Sequence, residues 1–433
     1  MKVIFAELKK IFSLKNILPM LLVFALLFVF FDMYGLTPLE TGKSWEYDIV
    51  KEYGTRLDKN DVERIKAEYF KKTESQINGL ISQSDLLKRI GVENYAEYRD
   101  VLYGSLSTRI NQPEWVREQL ADKTVSDEEF EMGMGMTREL AATPPTADEI
   151  AAYKEFFGNP ENELNQMVGK LSSFDGQMEH CFDRKQQNLE MLLTSDFNPT
   201  SEAGKKRLKE FFETDEYYNV VDDNVTWILQ NYSINMFVCT LACIYVFLLP
   251  ILTRDNMTGI LYLQYSSKSG RKILSKQLVS MLIAAAAVCF AICGFGIISV
   301  LLEIPEAFHS CGLNGFNGYY DNYWFRGTVL QYVFAAGGLV IAFNLALTLF
   351  LFVLSHTSKN YIQLIIKSIP VVAVFGFYAF KYGEKTFMFN TFNTFSELIP
   401  VAYAEAYLAA ALLLAGITLS VIFIRKNKAR DIL

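Results

Sequence analysis

The residues with the clearest capacity for chemistry lie in one short polar segment, 253–276, between two long apolar stretches. Thr253 or Asp255 can cap a short helix at the start of this segment. The apolar side of that helix would carry Ile260, Leu261 and Leu263. A short amphipathic helix mounted between two apolar helices is suited to docking in a groove of a partner protein.

Three further residues of the segment favour contact with a partner. Gly259 allows another backbone to approach closely, and a Ser-rich turn with Arg271 and Lys276 leads into the next apolar stretch. An ordinary polar loop would account for the basic residues. It would not account for the apolar helix in front of them, so we interpret the segment as a docking site for a partner protein and call it the coupling segment.

No motif in the sequence binds a nucleotide. Gly42-Lys43-Ser44 looks like the end of a phosphate-binding loop, but Thr37 stands where that loop needs its first glycine. If ATP drives this protein, we therefore expect another polypeptide to bind it. No residues nominate a nucleophile or a metal set for catalysis, and we expect no enzyme activity in this chain.

Two ionisable residues interrupt stretches that are otherwise apolar, and such residues are functional candidates by default. Lys367 and Glu405 each lie within about two turns of a membrane face. We expect Lys367 to extend its amine past Asn360 to one surface, and Glu405 to reach the other surface.

The cysteines allow several interpretations. Four cysteines form two pairs at four-residue spacing, Cys239 with Cys243 and Cys289 with Cys293. We interpret them as small residues that let neighbouring helices approach, although such pairs could also hold a soft metal. Two other cysteines, Cys181 and Cys311, could form a disulfide, or a zinc site with neighbouring histidines. We expect no metal.

The elements that carry these residues are membrane spans. A helix needs roughly 20 apolar residues to cross the hydrocarbon core. Five long apolar stretches contain no Asp, Glu, Lys or Arg: 16–31, 227–253, 277–302, 327–358 and 406–424. In a sixth stretch, 360–380, Lys367 is the single charged residue. The sequence therefore predicts an all-α polytopic membrane protein with six spans, and excludes a soluble fold.

The net charge of −7 combines two regions of opposite sign. Residues 36–226 hold 38 acids and 23 bases, a balance of −15, whereas the rest of the chain has a balance of +8. Lys and Arg concentrate in short cytoplasmic segments of membrane proteins. We therefore predict a plasma-membrane protein with both termini in the cytoplasm, and an extracytoplasmic domain at 36–226.

The N-terminal region, 1–35, is predicted to stay on the protein. Its span, from about Ile17 to Phe31, could be mistaken for a signal peptide, but no small-x-small cleavage site follows it. The preceding residues are amphipathic and should lie along the inner membrane surface.

The extracytoplasmic domain is predicted to be mainly helical. Apolar residues recur at three- and four-residue steps in four segments: 60–90, 147–157, 161–193 and 201–218. The last region, 227–433, then forms a five-span domain that contains the coupling loop 253–276.

The coupling segment resembles the signature region of type-2 ABC exporter permeases. Asp255 stands for the usual Glu, Gly259 matches the family glycine, and 266–271 is similar to the family's polar turn with Arg. Ser275-Lys276 replaces a Gly-Lys pair. The amphipathic start is similar to the family's connecting helix, and 383–402 looks like its re-entrant outer helices. The resemblance covers about 240 residues of the membrane part.

The resemblance implies a mechanism. Two permease subunits, of the same or a related chain, would form a pathway between them, and a separate ABC ATPase subunit would bind ATP and Mg²⁺. The helix at 255–265 would sit in a groove of that ATPase, with Asp255, Gly259, Leu261 and Arg271 as coupling residues. Gln331 and Asn344 could line the pathway, or could form hydrogen bonds between helices.

The sequence indicates less about the transported compound than about the mechanism. An acidic outer domain could attract cationic peptides, antimicrobial peptides included, or could serve solubility alone. We expect an exporter of a peptide, a lipid or another amphipathic compound that contacts membrane lipid and no nucleic acid. The alternative is a membrane-embedded sensor or scaffold whose outer domain binds a peptide or protein ligand.

Overall fold

The computed structural model describes residues 2–32, 44–111, 118, 120–121, 124, 126–134, 136–194, 202–258, 273–316, 322–388, 395–399 and 401–429. Of these described residues, 82% are helical. The described residues form no strand, only three isolated bridges: Arg56 with Asn219, Gly312 with Thr328, and Tyr323 with Met388. The all-helical class is therefore confirmed.

The chain divides into two compact units, residues 58–185 and the remainder. The remainder begins with α1 (Lys2–Ile11), α2 (Leu14–Asp32) and α3 (Trp45–Tyr53). The 58–185 unit contains α4 (Val62–Ser82), α5 (Asp85–Arg89), α6 (Tyr95–Tyr98), α7 (Ser107–Asn111), α8 (Asp127–Met134), α9 (Arg138–Ala142), α10 (Ala147–Ala152) and α11 (Glu163–Met178). Turns of π-helix extend three of these helices, at Arg99–Leu106, Tyr153–Phe157 and Glu179–Asp183.

The rest of the larger unit holds the long helices. Its elements are α12 (Lys185–Thr194), α13 (Glu202–Glu213), α14 (Asp223–Met257), α15 (Ile273–Glu303), α16 (Val329–His356), α17 (Tyr361–Tyr382), α18 (Phe395–Leu398) and α19 (Ala404–Ala429). Short 3₁₀ turns lie at Asp215–Tyr218, Glu306–Phe308 and Gly383–Lys385.

Among the described residues, five helices of the larger unit are long and apolar enough to cross a membrane, namely α14, α15, α16, α17 and α19. The pair α1 and α2 adds a sixth if it is counted as one span with a 48° bend. A multi-pass membrane protein is therefore confirmed, and the six-span count depends on that bent pair.

The centre of the helix bundle is α16. Of the apolar part of α16, 61% is buried inside the protein, whereas only 22% of the apolar part of α19 is buried. It packs on α14, α15, α17 and α19. At Gly416 of α19 a Cβ atom would lie only 2.8 Å from the Cβ of Leu349, so glycine is what lets α19 approach α16 this closely.

The bend between α1 and α2 has a local cause. Asn16 Nδ2 donates hydrogen bonds to the carbonyls of Ile11, at 3.0 Å, and Lys10, at 3.2 Å. These are carbonyls that the end of α1 leaves without helical partners. Because a side chain of α2 bonds to these carbonyls, the two helices are held at an angle. In addition, α1 packs along α15.

The smaller unit has its own apolar core, which lies between α4 and α11. Tyr69 and Phe174 pack with ring centroids 4.4 Å apart. At its edge, the buried Arg109 forms a bidentate ion pair with Glu149, at 2.8 and 3.0 Å, and its Nε donates to the carbonyl of Thr143 at 3.1 Å. The predicted helical character of 60–90, 147–157, 161–193 and 201–218 is confirmed.

The limits of the smaller unit differ from the predicted segment 36–226. Residues 44–57 and 202–222 belong instead to the larger unit. Backbone hydrogen bonds join these two stretches, from Leu57 N to Tyr218 O at 2.9 Å and from Val220 N to Thr55 O at 3.1 Å. Rings of Trp45 and Tyr217 each pack near Phe316.

Candidate functional site

Most of the predicted coupling site lies outside the described residues, including Gly259, Leu261 and Arg271. Asp255 is in the last turn of α14, and Lys276 is in the first turn of α15. The described part of α14 ends at Met257, and the N–H of Thr258 still donates to the carbonyl of Arg254 at 2.9 Å. A new helix therefore does not begin at Thr253 or Asp255, because α14 continues through both.

The start of α15 is tied to α1. Ser280 Oγ lies 2.9 Å from the carbonyl of Lys276, one turn earlier, and 3.5 Å from the carbonyl of Ile4. Thus α1 rests on the helix that directly follows the predicted coupling segment.

Gln331 caps a helix. Thr328 Oγ1 accepts the N–H of Gln331 at 3.3 Å, and Gln331 Oε1 accepts the N–H of Thr328 at 3.0 Å. This is a reciprocal capping box at the start of α16. The side-chain carbonyl of Gln331 is therefore engaged by its own helix.

Asn344 lies in the middle of α16 and is 2% exposed. Its Nδ2 donates to the carbonyl of Val340 at 2.9 Å, within the same helix, and its Oδ1 has no hydrogen-bond partner among the described residues. Neither amide atom bonds to another helix there, so the suggested interhelical hydrogen bond is not formed. Asn344 stays a candidate for the pathway.

Lys367 behaves as predicted. Its Nζ donates to the carbonyl of Thr357 at 2.6 Å, in the short connection before α17. The amine therefore lies at the end of the bundle that also holds Lys276, which we call the Lys276 end.

Glu405 does not reach the surface, contrary to expectation. It lies in the first turn of α19 and is 1% exposed. Its Oε1 accepts the N–H of Phe387 at 3.2 Å, and its Oε2 has no hydrogen-bond partner among the described residues. The turn at Thr386–Met388 covers the carboxyl, which sequence position alone could not show.

The backbone around this carboxyl is held in unusual conformations. Phe387 has φ +63° and Tyr403 has φ +58°, values that side chains other than glycine adopt rarely. Trp324 N donates to the carbonyl of Phe387 at 2.7 Å, and Tyr403 Oη donates to the carbonyl of Trp324 at 2.9 Å. The carboxyl of Glu405 is therefore part of a network that fixes two strained positions.

Buried hydroxyls continue the network into the bundle. Tyr332 Oη donates to the carbonyl of Thr386 at 3.2 Å and lies 3.1 Å from Ser233 Oγ. The network thus joins α14, α16, the turn before α18 and α19. We call this end of the bundle the Glu405 end, and the residues Ser233, Tyr332, Thr386, Phe387 and Glu405 the Glu405 network.

Comparison with known families, curated proteins and solved structures finds no match to this chain. The Glu405 network is therefore interpreted on its chemistry alone. A buried carboxyl inside a membrane span is costly unless it is neutral or paired. Its presence marks the Glu405 end as a candidate functional site, and the signal for it in the sequence was an acidic residue directly before the predicted span 406–424.

A second buried carboxyl lies outside the spans. Glu46, in the first turn of α3, is buried, and its burial, with the nearby negative charge of Asp222, raises its pKa from 4.5 to about 8. Burial also raises the pKa of Asp222, whose Oδ1 accepts the N–H of Asn224 at 2.8 Å. These two carboxyls lie between α3 and the start of α14.

We expect this pair to make stability depend on pH. Between pH 4.5 and about 8 the folded Glu46 keeps its proton while the unfolded one loses it, so rising pH favours unfolding. The slope should approach about 1.4 kcal/mol per pH unit at most. Thermal unfolding followed by tryptophan fluorescence across this range should show the fall, and Glu46→Gln should flatten it. An equal fall in the variant would assign the effect to other groups.

All six cysteines are buried, and none of them forms a disulfide. Among the described residues no group of three His, Cys, Asp or Glu side chains could hold a metal ion. Burial raises the pKa of the Cys311 thiol to about 12, which leaves it protonated and unreactive at neutral pH.

Proposed function

We propose that this chain is the permease subunit of an ATP-driven ABC exporter, and that it moves a peptide, a lipid or another amphipathic compound. The energy would come from a separate ATPase subunit. The observation that carries the proposal is the contact between α1 and the start of α15, near Ser280. It connects an amphipathic helix at the membrane face to the segment that resembles the family's coupling region.

The proposal includes an orientation. The Lys276 end would face the cytoplasm, because the basic residues of the short connections concentrate there. The Glu405 end, together with residues 36–226, would face outward, and both termini would be cytoplasmic in the plasma membrane. The docked ATPase would then lie beneath α1 and the 253–276 loop.

The mechanism follows from the bundle. ATP-driven closure of the ATPase pair would push the 255–265 segment of each permease, and α14 and α15 would carry the displacement to the Glu405 end. Rearrangements of this kind move packed helices between discrete arrangements. The Glu405 network joins three spans to the outer turn, so it is where helix movement would open or close the exit. A second permease subunit, of the same or a related chain, would complete the pathway.

A vesicle assay tests the proposed function. Inverted membrane vesicles containing this chain and its ATPase should take up a fluorescent amphipathic peptide or lipid when ATP and Mg²⁺ are added. Vesicles with the chain alone should not, because the chain has no nucleotide-binding motif. If the outer domain binds a ligand but no compound moves in vesicles that contain both subunits, the sensor or scaffold alternative is favoured.

A further inference from the structure

A recess of about 310 Å³ lies in the membrane-spanning part of the larger unit, between α2, α14 and α15. Every side chain that lines it is apolar. The bend between α1 and α2 closes one end through Phe12, whose ring centroid lies 5.6 Å from that of Phe247. At the other end Phe24 meets Phe295, with centroids 5.8 Å apart.

The recess opens sideways on the helix surface. Leu21 and Phe295 are half exposed, and Ala287 and Ala291 are exposed at its rim. Since Ala287, Ala291 and Phe295 lie in α15, which is long and apolar enough to span, the medium outside the opening would be lipid rather than water. A recess with no polar lining does not hold ordered water, which needs polar partners.

The dimensions of the recess match one hydrocarbon chain. Its volume is at the lower end of the range of small-molecule sites, about 300–1,000 Å³, which suits one chain better than a whole lipid. Along α2 it runs from Ile17 to Phe24, which is about 10 Å of helix. A leaflet contributes about 15 Å of hydrocarbon, so the recess is short enough to hold the part of one chain that lies in a single leaflet.

Positive charge adjoins two lining residues in the sequence, because Lys9 comes three residues before Phe12 and Lys15 two residues before Ile17. Lys9, at the end of α1, and Lys15, at the start of α2, are exposed and have no ion-pair partner among the described residues. Lys10 is paired with Glu7 at 2.8 Å. Lysines beside an apolar site at the membrane face favour lipids with anionic headgroups.

We propose that this recess binds one acyl chain of an anionic glycerophospholipid of the surrounding bilayer, with the headgroup beside Lys9 and Lys15. The bound chain would complete the packing of α2 against α14 and α15. The proposal rests on the membrane-spanning helices alone, so it stands or falls separately from the proposed transport.

Photolabelling tests the proposal. The full chain would be placed in nanodiscs with phosphatidylglycerol that carries a diazirine on its acyl chain, and labelled peptides would be identified by mass spectrometry. We expect labelling to concentrate on α2 and α15 around the recess. Ala291→Phe would fill the recess and should lower that labelling by about threefold or more, which is a modest change in affinity. Ala410→Phe places the same ring at an exposed alanine of α19 and should leave it unchanged.

A second arm tests the charge. With a diazirine-labelled phosphatidylcholine in place of the phosphatidylglycerol, wild-type labelling should be weaker, and Lys9→Gln with Lys15→Gln should remove the difference between the two lipids. An excess of unlabelled phosphatidylglycerol should compete in the wild type, whether or not Ala291→Phe folds well.

Three results would overturn the proposal. Labelling could be spread evenly over the exposed faces of α17 and α19, or could resist competition by unlabelled phosphatidylglycerol. Alternatively, Ala291→Cys could cross-link two copies of the chain efficiently, which would mean that a second copy covers the recess.

Discussion

Gly259→Trp should reduce the amount of ATPase that co-purifies with this chain by at least about tenfold, a loss of about 1.4 kcal/mol or more of binding free energy. The physical reason is steric: the coupling proposal places the backbone of the partner close to Gly259, and an indole would fill that space. Transport should be lost with association. The level of the chain in the membrane should not change, because residue 259 lies outside the charge-free stretches 227–253 and 277–302.

Gly79→Trp is the matched control. Gly79 lies in α4, and a Cβ atom there would have no other atom within 4 Å, so the indole would be tolerated. This variant should keep the ATPase at the wild-type level. Co-purification and transport that persist in Gly259→Trp would show that the coupling site lies elsewhere.

Glu405→Ala and Glu405→Gln should have very different effects on stability. Alanine leaves the N–H of Phe387 buried without an acceptor, which costs about 1–3 kcal/mol, and opens a space beneath a strained turn. Glutamine keeps a carbonyl oxygen that can accept the N–H of Phe387. It also removes an acidic group that has no ion partner among the described residues. The stability of the Glu405→Gln variant should therefore stay close to that of the wild type. Thermal unfolding in detergent micelles measures both.

Glu306→Ala is the control for the first substitution, because Glu306 is an exposed glutamate in the connection after α15 and should be neutral. Transport by Glu405→Gln separates two roles of the carboxyl. If this variant folds but does not transport, the acidic proton or charge of Glu405 is used in the cycle. Equal stability of the alanine and glutamine variants would contradict the role assigned to the hydrogen bond with Phe387.

The spans were predictable because hydrocarbon imposes a simple requirement, about 20 residues without charge. The same requirement explains the behaviour of Lys367, whose long side chain carries its amine out to Thr357. The helical segments of the polar region were also predictable from their three- and four-residue apolar spacing. These features depend on local sequence.

The limits of the smaller unit were less predictable. Residues 44–57 and 202–222 have the same acidic composition as the region between them, so charge could not separate them. Aromatic packing separates them in the structure, through Trp45, Tyr217 and Phe316. Such contacts join residues far apart in the sequence, and spacing does not predict them.

Among the polar residues inside the bundle, the role of Gln331 could be predicted from the sequence and the burial of Glu405 could not. The cap at Gln331 has a signal in the sequence, because Thr-x-x-Gln before an apolar run is a capping-box pattern, and this pattern favours a cap over a pathway role. The burial of Glu405 was not visible, since it requires the turn at Thr386–Met388 to fold over the start of α19. The coupling residues Gly259, Leu261 and Arg271 stay predictions.

The central claim is that a separate ATPase subunit drives this chain, and its most direct test is the composition of the complex purified from native membranes. The chain would be tagged, extracted in several mild detergents, and analysed by mass spectrometry and ATP hydrolysis. We predict an ATPase subunit with a phosphate-binding loop, in an amount comparable to the chain, and Mg²⁺-dependent ATP hydrolysis. A folded chain that purifies without any ATPase in every detergent would contradict the account.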